Sequence, residues 1–276
     1  MNFFHFNLKV ASRGKNHSLA AKSAYISGEK LRDKYKNKTY NYSYRDDVKY
    51  KEILLPLEAP REFLDRQTFL DALNVAEKRK DAQMARVIVI ALPNEFSLDE
   101  NIALTKEFVN ENFINLGYCA DIAIHIGELH KRRKPESIEA VKERKDNPHA
   151  HIIIPFRMAD KDGFQKDKKQ SRLFYKRISL KKWREEWARL INRELEKRGI
   201  EDRVSHLSHS ARCIELEPTI YLGSKIMALE AKGILTVRGD EHRRIMKRNR
   251  IRKMVRDKQQ ERERSFERNR SLDRSR

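Results

Sequence analysis

Apolar and polar positions change period several times along the chain, and each period predicts an element. Phe4, Phe6, Leu8 and Val10 alternate with Phe3, His5, Asn7 and Lys9, which predicts a strand over 2–10. Residues 18–31 carry Ala20, Ala21 and Ala24 and read as a helix, with Gly28 weakening its last turn. The polar, Tyr-rich stretch 34–50 reads as a loop or hairpin, and Pro56 and Pro60 mark a connection. A helix is expected over 62–83, from Phe63, Phe69, Leu70, Leu73 and Ala76. The run from Ala85 to Leu92 is nearly all apolar, as in a central strand covered on both faces, and Pro93 ends it. Ser97 and Glu100 form a capping-box pair that opens a helix to about Leu116.

Strands are then expected over 119–127 and 149–156, separated by the charged stretch 128–146, which reads as an exposed excursion. In the first of these strands Ile122, Ile124 and Ile126 lie on one face, and Asp121, Ala123 and His125 on the other. An amphipathic helix follows from Leu180 to Arg198, with Trp183 and Trp187 one turn apart, and Gly199 stops it. Interleaved strands and helices in a hairpin-compatible order predict an α+β fold: a mostly antiparallel sheet flanked by helices.

Charge divides the chain. Of a net charge of +20, half lies in residues 243–276, where 15 Lys and Arg face 5 Asp and Glu. The expected organisation is a domain over 1–242 and a basic helical or disordered tail over 243–276. The tail is a solvated helix or an electrostatic arm for nucleic acid. No uncharged apolar run approaches the length of a membrane span, so no membrane insertion is expected. The N-terminus lacks the pattern of a secretory signal, and with only two cysteines a reducing cytoplasm is the expected location.

His149 and His151 flank Ala150 ahead of an apolar run. On a strand, residues i and i+2 share a face about 7 Å apart, so both imidazoles can converge on one cation. His125 lies on the polar face of the other strand, and pairing the two strands would add a third ligand. An isolated His-x-His more often marks an exposed strand; the third histidine favours metal. Tyr25 sits mid-helix among small or polar neighbours, Ser18, Ala21, Gly28 and Glu29. A phenol becomes a phosphoryl-transfer nucleophile when a metal activates the phosphate in line with it.

These residues resemble the MobA/MobL (MOBQ-class) conjugative relaxases of the HUH endonuclease superfamily, over residues 1 to about 245. The resemblance runs in order through Phe4-His5-Phe6-Asn7-Leu8-Lys9-Val10, Ser12-Arg13-Gly14, the segment from Ala20 to Leu31, Ala76 to Arg86, Ile124-His125, Asn147-Pro148-His149-Ala150-His151, Gly163-Phe164, Trp187-Ala188 and Leu222-Gly223. It implies an HUH relaxase-like sandwich and a plasmid-mobilisation enzyme. Tyr25 would nick origin-of-transfer DNA, leaving a 5′-phosphotyrosine adduct that is later rejoined. His125, His149 and His151 would hold a divalent metal, Mg or Mn. Arg13, Lys15, Lys22, Arg86 and Tyr42 would contact the DNA hairpin and single strand. Relaxosome accessory proteins and a type IV secretion coupling protein are the implied partners.

The family pattern places an acidic residue directly after the arginine matching Arg86. Here that position is Val87, so Glu77 is the candidate base. The alternatives are a catalytically weakened origin-binding protein of the same fold and a rolling-circle replication initiator. Tyr35, Tyr40, Tyr42 and Tyr44 either stack on bases or line a sheet face.

Overall fold

The computed structural model describes residues 4–15, 17–127, 147–168, 177–208, 210–212, 214–220 and 222–273. The expected excursion at 128–146 lies outside them. Two compact units are present, residues 1–206 and 207–276.

In chain order the first unit contains β1 (Phe6–Ser12), α1 (Leu19–Ser27), β2 (Lys30–Asp33), β3 (Lys38–Asn41), β4 (Val48–Leu54), α2 (Arg66–Ala76), β5 (Gln83–Ala91) and α3 (Leu98–Asn112). It continues with β6 (Ala120–Gly127), β7 (Asn147–Pro155), the short pair β8 (Ala159–Asp160) and β9 (Gly163–Phe164), and α4 (Arg177–Lys197). Five strands form one antiparallel sheet in the order β1-β5-β7-β6-β4. The fold is therefore the expected α+β architecture, a sheet with helices on its faces.

Strand alternation sorts the core into two layers. On one face Ile88, Ile90, Ile122, Ile124 and Ile152 pack with Phe108 of α3 and with Trp187 and Leu190 of α4. On the other face Ile53, Met84 and Ile153 join the smaller Ala11, Ala85 and Ala123, and they pack with Leu19, Ala20 and Ala24 of α1 and with Phe69 and Leu73 of α2. Small side chains let α1 approach β6 closely, which matters for the site.

The capping box Ser97–Glu100 is present at the start of α3. Three boundaries differ from expectation. The first helix ends at Ser27 because Gly28 adopts a left-handed φ of 64°, and β2 begins at Lys30. The helix expected to Gln83 stops at Ala76, and the charged run Glu77–Asp81 turns the chain into β5. The stretch 34–50, expected as a loop or hairpin, does hold the β3 arm of the β2–β3 hairpin, but β4 already begins within it at Val48.

The second unit contains α5 (Gly223–Glu230) and α6 (Val237–Asp273). The Glu230 carboxylate accepts hydrogen bonds from Thr236 N and Oγ1, both at 2.7 Å, and fixes the turn between the helices. The boundary expected at 242/243 falls inside α6, a continuous helix, so the basic tail is helical as far as Asp273.

Candidate metal centre and its tyrosine

The pairing of β6 with β7 sets His125 opposite His149, and Ala123 opposite His151. The three imidazoles rise from the face that α1 covers, with ring centroids 4.6–5.3 Å apart. One ligand atom from each ring can be chosen so that all lie within 4.8 Å of one another. The triad can therefore hold a metal ion, since three imidazole nitrogens at this spacing converge on one cation.

Hydrogen bonds fix the tautomers. His125 Nε2 lies 2.6 Å from the Ile26 carbonyl oxygen, and His149 Nδ1 lies 2.8 Å from that of Asn147. A carbonyl only accepts, so these nitrogens carry the protons, leaving His125 Nδ1 and His149 Nε2 as lone-pair donors. Burial is the main reason that the His125 pKa is lowered to about 4; the Ile26 bond opposes the shift, and His149 and Arg45 add to it. Burial, then His125, His149 and Arg45, lower His151 to about 2. Both rings are held neutral at pH 7, the form that ligates.

Tyr25 stands in the last turn of α1. It is 44% exposed, and its ring centroid is 6.4 Å from that of His125. A buried polar network fixes this helix. Ser23 Oγ donates to Asp121 Oδ2 at 2.6 Å, and Arg66 Nε donates to Asp121 Oδ1 at 3.0 Å. Arg66 Nη1 and Lys51 Nζ pair with Glu29 Oε1 at 2.8 and 2.7 Å. At the other end of α1, Ser18 Oγ accepts from Ala21 N and donates to Asp33 Oδ2. Tyr42 meets Tyr25 edge to face, with centroids 5.4 Å apart, and exposed Tyr44 follows at 6.1 Å.

The loop between β3 and β4 contributes two residues with no signal in the sequence beyond their place in a polar, Tyr-rich stretch. The Arg45 guanidinium lies over the Tyr25 ring, 3.8 Å from its centroid, and its Nη2 is 3.5 Å from His125 Nδ1. Asp47 accepts from Arg45 Nε at 2.8 Å and also from Nη2. Burial would lower the Arg45 pKa, but the hydrogen bonds and charges of Asp47 and Tyr25 together outweigh it, so the pKa is raised.

Other expected residues lie elsewhere. Glu77 is buried at the end of α2, where its carboxylate meets Arg157 Nε at 2.8 Å and Lys168 Nζ. Arg157 follows the far end of β7, and six strand positions, about 20 Å, separate the Ala85–Pro155 pair from the Ala91–His149 pair. The structure thus does not bring Glu77 to Tyr25. The carboxylate whose charge reaches both His125 and His151 is that of Asp47.

Arg13 is at the Glu77 end too. It donates to the Glu77 carbonyl and to Asn74 Oδ1, and stacks on Tyr35 at 4.1 Å. Arg86 faces away from the triad, over the Phe156 ring at 4.8 Å. Lys22 is half-buried on α1, one turn before Tyr25 and on the same side. The Lys15 side chain lies outside the described residues.

The sequence pattern of the MobA/MobL family matches residues 17–232. Among individual relatives, a probable mobilization protein MobA of Bifidobacterium longum is 28% identical over 90% of this chain and 48% of its own. A conjugal transfer protein TraA of Agrobacterium fabrum is 27% identical over 84% of this chain and 22% of its own. The chain thus spans about half or less of the length of these two curated relatives. A solved structure described as the molecular basis of vancomycin resistance transfer in Staphylococcus aureus is 34% identical, with a TM-score of 0.63, over 75% of this chain and all of that one.

Proposed function

Because the chain belongs to the MobA/MobL family, we propose that it is a plasmid-mobilisation relaxase, a strand-specific DNA nickase that uses Tyr25 as its nucleophile. The observation that carries this reading is the placement of an exposed phenol beside three imidazoles able to hold a metal. The ligands would be His125, His149 and His151. A divalent cation there, Mg or Mn, would withdraw charge from a phosphodiester.

The chain's own residues supply the rest. The Tyr25 oxygen bonds to the phosphorus at the nick site as its proton is released. The P–O3′ bond breaks, the departing oxygen takes up a proton, and the 5′ phosphate stays on the tyrosine. Attack by a 3′-hydroxyl on that adduct reverses the step and rejoins the strand. Tyr42 and Tyr44 offer rings to unpaired bases next to the nick, and Lys22 a charge to the backbone. Origin-of-transfer DNA is the proposed substrate, and relaxosome proteins and a type IV coupling protein the proposed partners. Among the described residues no helix is long and apolar enough to cross a membrane. The bacterial cytoplasm, where plasmid DNA resides, is the proposed location.

The test is incubation with Mn²⁺ and a supercoiled plasmid carrying the DNA that flanks this protein's own gene. The expected product is a nicked circle with protein attached through denaturation, absent with Tyr25→Phe. The second reading, an origin-binding protein with weakened catalysis, is favoured by Val87 and Val89. Both lie on the triad's side of β5, where they add no carboxylate. Binding to the same DNA without nicking would select it.

A further inference from the structure

The Arg45 guanidinium occupies an unusual position: it is a fixed cation set directly between a candidate nucleophile and a candidate metal ligand. Its side chain is only 11% exposed, and Asp47 holds it at two nitrogens. Its Nη1 is buried and has no hydrogen-bond partner. A buried, charged N–H without an acceptor is costly, and folds keep such groups where a ligand completes them. Planar guanidinium matches phosphate oxygens, the acceptors that would arrive at the Tyr25 oxygen.

The surrounding charges lead the same way. Three neutral imidazoles leave a bound cation its full charge, and Asp47 is committed to Arg45 rather than to the triad. The arrangement leaves both positive groups free to act on an anion held between them and the phenol. Preorganised positive groups of this kind stabilise charge that builds during phosphoryl transfer, with no rearrangement needed at the moment of reaction.

We propose that Arg45, aligned by Asp47, is a catalytic residue that grips the phosphate attacked by Tyr25, beside the histidine triad. The inference rests on the nickase reading. In it Asp47 is a positioning residue, acting only through Arg45.

The experiment compares the intact chain with Arg45→Gln, Arg45→Lys and Asp47→Asn. Mn²⁺ binding is followed by calorimetry on the protein alone, and adduct formation by single-turnover gel assay on the flanking-DNA plasmid. Arg45→Gln is expected to slow adduct formation about 100-fold, the usual effect of losing one preorganised donor. Its Mn²⁺ affinity is expected to hold or to rise by up to about tenfold, because a repelling cation beside His125 is removed. Arg45→Lys should recover part of the rate, since it restores charge without the fork. Asp47→Asn should lose less rate than Arg45→Gln. Intact Mn²⁺ binding in the variants shows that the site is folded.

Three results would overturn the proposal: wild-type adduct rates in Arg45→Gln, equal rates in Arg45→Lys and Arg45→Gln, or collapse of Mn²⁺ binding in Arg45→Gln, which would make the residue a structural prop. If the unaltered chain forms no adduct, the nickase reading itself fails and this inference falls with it.

Discussion

His125 and Ile26 are joined by a hydrogen bond of 2.6 Å from an imidazole nitrogen to a backbone carbonyl. Ile26 follows Tyr25 in the chain, so a single bond ties a candidate metal ligand to the helix that carries the phenol. The same bond makes Nε2 the protonated nitrogen and leaves His125 Nδ1 as the lone-pair donor. Ligand orientation and nucleophile placement are therefore one structural problem, solved where α1 crosses β6.

The first prediction concerns the triad. His151→Ala removes one of three nitrogen donors from a site with no carboxylate ligand among its converging residues. Mn²⁺ affinity measured by calorimetry should fall by at least about tenfold. Circular dichroism should be unchanged, because alanine keeps the strand pairing of position 151 with Val89 and Ala123. Unaltered affinity would remove His151 from the site.

Asp121 anchors α1 through Ser23 and Arg66. Asp121→Ala would leave Arg66 buried without one of its two acidic partners, and breaking a buried ion pair costs about 3–5 kcal/mol. Urea denaturation should show that loss. Ser23→Ala removes one hydrogen bond and should cost about 1–2 kcal/mol. A loss under 1 kcal/mol in Asp121→Ala would mean that the network does not hold the helix.

Acid should destabilise the metal-free protein in two stages. His125 and His151 have folded pKa values lowered from 6.5 to about 4 and about 2. The unfolded chain therefore binds their protons first, and stability falls as pH drops below about 6.5. Glu107 is lowered by its hydrogen bond to Arg193, and for Glu29 the bonds to Lys51 and Arg66 outweigh a burial effect that would raise it. Their contribution is present above the ordinary value of 4.5 and is lost as pH falls through the folded values. Urea midpoints in the presence of chelator should decline from pH 7 to 5 and drop further below 4.5. A constant midpoint between pH 7 and 5 would contradict the histidine assignment.

Cys119 is buried, and burial pushes its thiol up to about 12. A thiolate-selective reagent at pH 7.5 should leave it unmodified in the folded protein and label it in urea. Mass spectrometry of the Cys119 peptide distinguishes the two; fast labelling without denaturant would show that β6 opens at this end.

The parts of this site that were legible in the sequence rest on strand alternation. His149 and His151 share a face because they are two apart, and His125 falls opposite Ile122 and Ile124 for the same reason, so the antiparallel pairing of two strands brings the three together. The helix carrying Tyr25 was legible from its alanines, but its end was not, because a glycine at this point suits a weak last turn as well as the left-handed cap that Gly28 forms. Strand β4 was hidden: it is a sheet edge of alternating charged and aromatic residues, Val48-Lys49-Tyr50-Lys51-Glu52, that resembles a polar loop. Arg45 and Asp47 could not be read at all. They reach the triad through the path of one loop, and nothing in their local pattern encodes that convergence. The place of Glu77 was hidden for a related reason: its position in a motif did not report that β5 runs from the Glu77 end of the sheet to the triad end.

The measurement that tests the central claim most directly is peptide mapping of the protein–DNA adduct. After nicking with Mn²⁺, nuclease trimming and trypsin, the peptide Ser23–Lys30 should carry a nucleotide on Tyr25, and Tyr25→Phe should yield no modified peptide. A nucleotide on Tyr42, Tyr44 or any other residue, or nicking by Tyr25→Phe at the wild-type rate, would contradict the account.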